Sequence, residues 1–185
     1  ANPFISSFAA MPEYQDVYFV DHANLLISLS QISETLCILL IPFFLKRYGI
    51  KRVMLIAMVA WAFRFGFFAI GNPSFPAVTW FILSMIVYGV AFDFFNISGS
   101  LFVNNETDSS IRSSAQGLFM IMTNGIGASI GMLIAQAVVN NFTYSQEAGG
   151  QFYTVGEWPI VWGIFAAYAL LVAIFFALIF KEKNQ

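Results

Sequence analysis

Three charged side chains lie inside long apolar stretches of this sequence: Glu34, Arg64 and Asp93. A charge at the centre of a bilayer costs about 2.5–3.5 kcal/mol on insertion scales, so charges inside membrane helices mark functional sites by default. A carboxylate can bind a proton or accept hydrogen bonds from a ligand, whereas an arginine supplies only positive charge. These three residues are therefore the first candidates for chemistry.

Glu34 lies in a polar stripe of residues that share one face at helical spacing: Ser28, Gln31, Glu34 and Thr35. The neighbouring faces are Leu and Ile, so the stripe is expected to face a cavity or other helices. A substrate or ion pathway and polar bonding between helices both remain open here.

Asp93 lies in a second stripe with one small and two polar residues: Gly89, Asn96 and Ser100. Tyr88 and Phe92, four residues apart, add an aromatic face beside it. Aromatic rings next to an acid and an amide suit a ligand with a flat ring and hydroxyl groups. Ordinary aromatic packing is the alternative, because the chain contains 22 Phe residues.

Arg64 lies about 20 Å along its helix from one membrane face, and Glu34 about 15 Å from the other face, at 1.5 Å per residue. These depths match across an antiparallel pair of helices. We therefore predict that Arg64 turns toward Glu34, and both a structural ion pair and a functional one are compatible with the sequence.

The residue types give little support for an enzyme. Cys37 and His22 are the single cysteine and the single histidine, which excludes an internal disulfide and a zinc site built from Cys and His. A membrane serine protease would need a base, and an aspartyl protease would need a second membrane aspartate. We expect no enzyme activity, no cofactor, no metal and no nucleic-acid partner.

The elements that must position the charged residues are hydrophobic helices. The chain is 59% hydrophobic and 10% charged, with a mean hydropathy of +0.76, whereas a soluble domain carries roughly 25% charged residues. Five stretches are long enough to cross a bilayer: 25–45, 53–70, 77–103, 115–139 and 160–180. The sequence thus predicts an all-α membrane protein with five transmembrane helices.

The fourth predicted helix places several polar and small residues along one side: Gln116, Met120, Thr123, Asn124, Gly127 and Gly131. Gly127 and Gly131 form a GxxxG pattern that lets helices approach closely. Asn124 is the possible ligand contact on this helix, and the fifth helix is expected to face lipid.

The connections indicate the orientation of the chain. All Lys and Arg residues except Arg64 fall in 46–52, 104–114 or the tail after residue 180, whereas 71–76 and 140–158 contain neither. Basic loops stay in the cytoplasm. The C-terminus is thus expected in the cytoplasm and residues 1–23 outside, with an odd number of spans before them.

Several long motifs carry a resemblance to a known family. The basic loop KRYGIKR resembles one that recurs in the major facilitator superfamily, although Lys46 stands where that pattern usually has an acid. The stretches HANLLISLSQISETLCILLIPFFLKRYGIKRVM, WAFRFGFFAIGNP, MIVYGVAFDFFNISGSLFV and IRSSAQGLFMIMTNGIG resemble the bacterial nucleoside–proton symporter family. This resemblance covers nearly the whole chain apart from 140–158.

The resemblance implies a location, a set of partners and a site. The five spans would be helices eight to twelve of a twelve-helix carrier in the bacterial inner membrane, with residues 1–8 the end of helix seven. The carrier's partners would be nucleoside, proton, lipid bilayer and its own N-terminal half. The family's nucleoside contacts map onto Gln31, Glu34, Tyr88, Phe92 and Asp93.

Proton coupling requires a group that titrates, which leaves Asp93 or Glu34 in this half. We favour Asp93, because three phenylalanines surround it in the sequence and desolvation favours a neutral carboxyl. A carrier of the same fold for another polar solute, such as a sugar, is the alternative. A membrane scaffold whose charges only join helices is a third interpretation.

Overall fold

The computed structural model describes residues 2–14 and 23–180. His22 and the basic tail with Lys181 and Lys183 lie outside the described residues. The elements in chain order are α1 Asn2–Ala9, a 3₁₀ turn Pro12–Tyr14, α2 Ala23–Ile70, α3 Val78–Glu106, α4 Arg112–Met120, a π-helix Ile121–Gly127, α5 Ala128–Phe142, β1 Thr143–Ala148, β2 Gln151–Gly156 and α6 Trp158–Ile179.

Helix α2 contains the first two predicted spans in one continuous segment. Its helical backbone is interrupted at Gly49, which has φ 77° and ψ 170°. Glycine adopts a positive φ without the steric penalty that a Cβ atom brings, so it permits this break. Gly49 lies within the basic segment 46–52 that was predicted as a loop, and it divides α2 into two arms.

The two arms of α2 lie side by side. Cys37 and Ala57 belong to one buried cluster with Phe94 of α3. In a straight helix these two positions of α2 would stand about 30 Å apart, at 1.5 Å per residue. The break at Gly49 therefore turns the second arm back along the first, and α3 packs against both.

A second buried cluster gathers one end of the molecule. It joins α1, the second arm of α2, α3, α5 and α6 through residues that are mostly large and apolar: Phe4, Ile5, Phe8, Met11, Phe68, Phe81, Met85, Val139, Trp158, Val161 and Trp162. The rings of Phe68 and Trp162 lie 5.0 Å apart, and those of Phe68 and Phe81 lie 5.1 Å apart. This cluster holds the short helix α1 against the longer ones.

The opposite end brings the basic segments together. Lys51 donates a hydrogen bond from Nζ to the carbonyl of Ala177, near the C-terminus of α6, at 3.2 Å. The ring of Phe102, just before segment 104–114, lies 4.9 Å from that of Phe180. A lysine at a helix C-terminus also interacts favourably with the helix dipole. Segments 46–52 and 104–114 thus lie at one end of the described part of the chain, beside the C-terminus of α6.

The fourth predicted span does not follow one helical period. The π-helix Ile121–Gly127 separates α4 from α5, and its wider turns shift the register of the polar side. Among residues 2–14 and 23–180, a Cβ at Gly131 would meet nothing within 4 Å, and one at Gly127 would meet only Met122. The GxxxG pattern therefore faces open space here, instead of packing against a helix.

Residues 143–156 form an antiparallel β-hairpin, so the prediction of an all-α chain is wrong in this segment. Thr143 pairs with Gly156 and Ala148 with Gln151. The turn is Gly149–Gly150, with φ values of 61° and 78°. Two successive positive φ values are typical of a tight hairpin turn, and a Gly-Gly pair allows them at low cost.

In the described part of the chain, four helical segments are long and apolar enough to cross a membrane: Ser28–Ile70, Val78–Glu106, Arg112–Phe142 and Trp158–Ile179. The difference from the five predicted spans arises in α2, which contains two of them. The protein is mostly helical, with several apolar helices.

Candidate functional site

A cavity of about 300 Å³ opens between α1, both arms of α2 and α3. It is lined by Ile5, Ser6, Ser30, Gln31, Glu34, Arg64, Met85 and Tyr88. Three of the five predicted ligand contacts, Gln31, Glu34 and Tyr88, therefore share one cavity with the buried cation. Glu34 and Arg64 stand 30 positions apart in one helical segment, and only the reversal at Gly49 lets them meet.

Gly89 sets how closely α3 approaches the first arm of α2. A Cβ atom at this position would lie 2.9 Å from the backbone nitrogen of Glu34 and 2.9 Å from the carbonyl oxygen of Ser33. Ser33 is buried, and its hydroxyl donates a hydrogen bond to the carbonyl of Ile86 across the same contact. This close contact places the Glu34 backbone beside α3.

Arg64 lies in an aromatic cage and is 1% exposed. Its guanidinium carbon lies 4.0 Å from the ring centroid of Tyr88, 5.4 Å from that of Trp61 and 5.7 Å from that of Phe68. A cation over an aromatic face contributes about 0.5–2 kcal/mol, more when it is desolvated. Glu34 lies within electrostatic range of this guanidinium and lines the same cavity.

Tyr88 connects the cavity to the other predicted aromatic residue. Its ring stacks on that of Phe92, with centroids 5.6 Å apart and an interplanar angle of 22°. The ring of Trp61 lies nearly perpendicular to that of Tyr88, with centroids 5.9 Å apart. Phe92 is 38% exposed, so the aromatic surface continues from the cavity along α3.

Asp93 adjoins the cavity but is not among its lining residues. It lies within electrostatic range of Glu34. Its Oδ2 atom is shielded from solvent and has no hydrogen-bond partner in the described part of the chain. The two carboxylates and Arg64 thus form one group of neighbouring charges.

Several residues of the polar stripes bond within or between helices instead. The Thr35 hydroxyl donates to the Gln31 carbonyl at 3.0 Å, and the Asn96 amide to the Phe92 carbonyl at 2.9 Å. Gln116 donates to the Ser100 carbonyl at 2.7 Å, and the Ser100 hydroxyl donates to the Gln116 side chain at 2.9 Å. These bonds satisfy the polar groups within the protein.

Asn124 also bonds within its own helix, because its amide contacts Met120 Sδ at 3.6 Å. The sequence analysis did not identify four lining residues of the cavity: Ile5, Ser6, Ser30 and Met85. Ser30 lies in SLSQ and Ser6 in ISSF, and an isolated serine in such a segment is only a weak indication of a cavity-lining residue. Met85 stands three positions before Tyr88, and that helical spacing could have placed it on the cavity face.

The contact at Gly89 yields a prediction for the stability of the protein. Gly89→Ala is expected to lower the thermal unfolding temperature and to weaken ligand binding, because the added methyl forces the Ser33–Glu34 backbone away at an overpacking cost of about 1–3 kcal/mol. Gly66→Ala is the matched control, since a Cβ there meets nothing within 4 Å in the described chain. Equal unfolding temperatures for the two variants would contradict this role of Gly89.

Comparison with known proteins gives a consistent family. The family model described as Nucleoside H+ symporter matches residues 1–185. The xanthosine permease of Escherichia coli (strain K12) is 52% identical over 184 residues, which cover 100% of this chain and 42% of that protein. The nucleoside permease NupG of the same organism is 48% identical over 183 residues, covering 99% of this chain and 42% of NupG.

Solved structures agree. A crystal structure of the nucleoside transporter NupG matches with a TM-score of 0.81 at 48% identity, covering 98% of this chain and 43% of that one. A mutant of the same transporter matches with a TM-score of 0.83 at 48% identity, covering 97% of this chain and 43% of that one. The chain spans about 42% of the length of the curated relatives. From the match along its full length, the chain belongs to the nucleoside H+ symporter family.

Proposed function

We propose that this chain forms the C-terminal half of a carrier that imports nucleosides together with protons. The observation that carries the proposal is the cavity in which Gln31, Glu34 and Tyr88 meet around a buried arginine. Polar groups that converge beside aromatic rings within apolar helices suit a small ligand with a flat base and hydroxyls. The full-length match to the nucleoside H+ symporter family supports the substrate class.

Four of the five predicted contacts have the following roles in this proposal. Phe92, exposed and stacked beside Tyr88, offers a face for the base. Gln31, whose side chain is exposed at the cavity, and Glu34 bond ribose hydroxyls or ring nitrogens. Asp93 carries the proton.

The rest of the carrier follows from the same proposal. The two arms of α2, then α3, the α4–α5 segment and α6 correspond to helices eight to twelve, and α1 to the end of helix seven. Alternating access would rock this half against an N-terminal half around a site near the bilayer midplane. The carrier would lie in the bacterial inner membrane with the basic end, near Lys51 and Arg112, in the cytoplasm.

Uptake measurements test the substrate class. The complete carrier, reconstituted in liposomes with an acidic outside, is expected to accumulate labelled uridine, adenosine or xanthosine and not labelled glucose or lactose. Collapse of the pH gradient with a protonophore should abolish the accumulation. Sugar accumulation without nucleoside accumulation would favour a sugar carrier of the same fold, and uptake of neither class would favour a scaffold.

A further inference from the structure

Arg64 is more tightly enclosed than an arginine that merely balances a carboxylate needs to be. It is 1% exposed, and three aromatic rings from two helices lie within 6 Å of its guanidinium carbon. Its backbone carbonyl also accepts a hydrogen bond from the buried Ser84 hydroxyl of α3 at 3.1 Å. The side chain is thus held at a defined position relative to α3.

The shortest of these contacts falls on a residue of the ligand cavity. The guanidinium lies over Tyr88 at 4.0 Å from the ring centroid, which covers one face of the ring. A nucleobase therefore cannot stack on that face. Because the Tyr88 ring also stacks on Phe92, we infer that Tyr88 contacts the ligand through its edge and its hydroxyl. A nucleobase would therefore stack on Phe92, which is the more exposed of the two rings.

The same guanidinium acts on the second cavity residue through its charge. Glu34 lines the cavity with Arg64 and lies within its electrostatic range. Asp93 is the further carboxylate near Glu34. Without Arg64, two neighbouring carboxylates would remain in an apolar setting, and their mutual repulsion would move the Glu34 side chain away from the cavity.

We propose that Arg64 is a positioning residue for the substrate. Its guanidinium stacks on Tyr88 and so presents the Tyr88 hydroxyl to the ligand. Its positive charge opposes that of Glu34 and so keeps the Glu34 carboxylate at the cavity. This inference rests on the proposed function for the identity of the ligand. Arg64, in the second arm of α2, would thus position two ligand contacts on other segments: Glu34 in the first arm and Tyr88 in α3.

Binding measurements on the purified complete carrier test the stacking part. Arg64→Lys keeps the charge opposite Glu34 but loses the planar group that covers Tyr88. We expect Arg64→Lys to weaken uridine binding about tenfold in calorimetry and to raise the KM for uptake, with little change in maximal rate. Lys51→Arg, a charge-conserving change at the basic end, is the control and should bind as the parent does. Unchanged binding by Arg64→Lys would overturn the proposal.

A substrate-free measurement tests the coupling to Glu34 independently. Arg64→Gln is expected to lower the thermal unfolding temperature strongly, because it leaves the Glu34 charge without its cation. The double variant Arg64→Gln with Glu34→Gln should recover at least half of that loss, which a purely local packing role would not produce. If Arg64→Gln alone fails to fold and the double variant folds, the coupling is supported.

Additive effects of the two changes would overturn the coupling. This cycle contains no ligand, so it remains decisive if the carrier binds no nucleoside and the proposed function fails. Failure of both the single and the double variant to fold would count against the coupling as well, since removal of the opposing charge would then have rescued nothing.

Discussion

Asp93→Asn in the complete carrier is expected to abolish the accumulation of nucleoside that an inward pH gradient drives. A proton-coupled carrier needs a group that binds and releases a proton in each cycle, and an amide cannot do so. Nucleoside exchange across the membrane without a pH gradient should persist, because Asp93 adjoins the cavity and does not line it. Counterflow in liposomes measures exchange, and uptake against an imposed gradient measures accumulation.

Asp108→Asn provides the matched control for this substitution. It makes the same chemical change at an exposed position of segment 104–114, away from the cavity, and should accumulate nucleoside as the parent does. Accumulation by Asp93→Asn in response to a pH gradient would show that the assignment is wrong. The proton site would then be Glu34 or a group in the N-terminal half.

The second large effect is expected for Glu34→Gln, which should weaken nucleoside binding about tenfold to a hundredfold. Hydrogen bonds to a charged group contribute about 1.5–3 kcal/mol, and every 1.4 kcal/mol corresponds to a factor of ten in the dissociation constant. The substitution also leaves Arg64 without its opposing charge, which disturbs the position of Tyr88. Affinity should therefore suffer at least as much as proton coupling.

Calorimetry with uridine on the purified carrier measures the affinity, and the ratio of accumulation to exchange measures the coupling. Glu147→Gln, an exposed carboxylate in the β-hairpin, is the control and should change neither quantity. A Glu34→Gln carrier that binds uridine normally yet fails to accumulate it would reverse the roles assigned to Glu34 and Asp93.

The sequence alone predicted the helices and the basic end of the molecule, because hydrophobicity and charge are properties of single residues and short segments. The apolar stretches marked the helices, and the positions of Lys and Arg grouped 46–52 and 104–114 at the end where Lys51 meets Ala177 and Phe102 meets Phe180. The three charges inside the helices pointed to the site for the same reason. A charge in an apolar segment is costly wherever that segment lies in the fold.

One local feature was within reach of the sequence but was missed, and a second was not. The Gly149–Gly150 pair is a strong signal for a tight hairpin turn, and segment 140–158 was nevertheless treated only as a connection between two helices. The π-helix at Ile121–Gly127 had no comparable signal. A wider helical turn depends on the competition between hydrogen-bond registers, which residue types alone do not reveal.

The tertiary structure alone decided where the charged side chains lie relative to their neighbours. Gly89 abuts the backbone of Ser33 and Glu34, and Arg64 stacks on Tyr88. Both contacts join segments that are 24 or more positions apart in the chain. Residue spacing determines which side chains share a face of one helix, and it says nothing about the rotation and separation of two packed helices. The rotation and separation of α2 and α3 come from side-chain packing between them. This packing brings Arg64 against the ring of Tyr88 as well as near the carboxylate of Glu34.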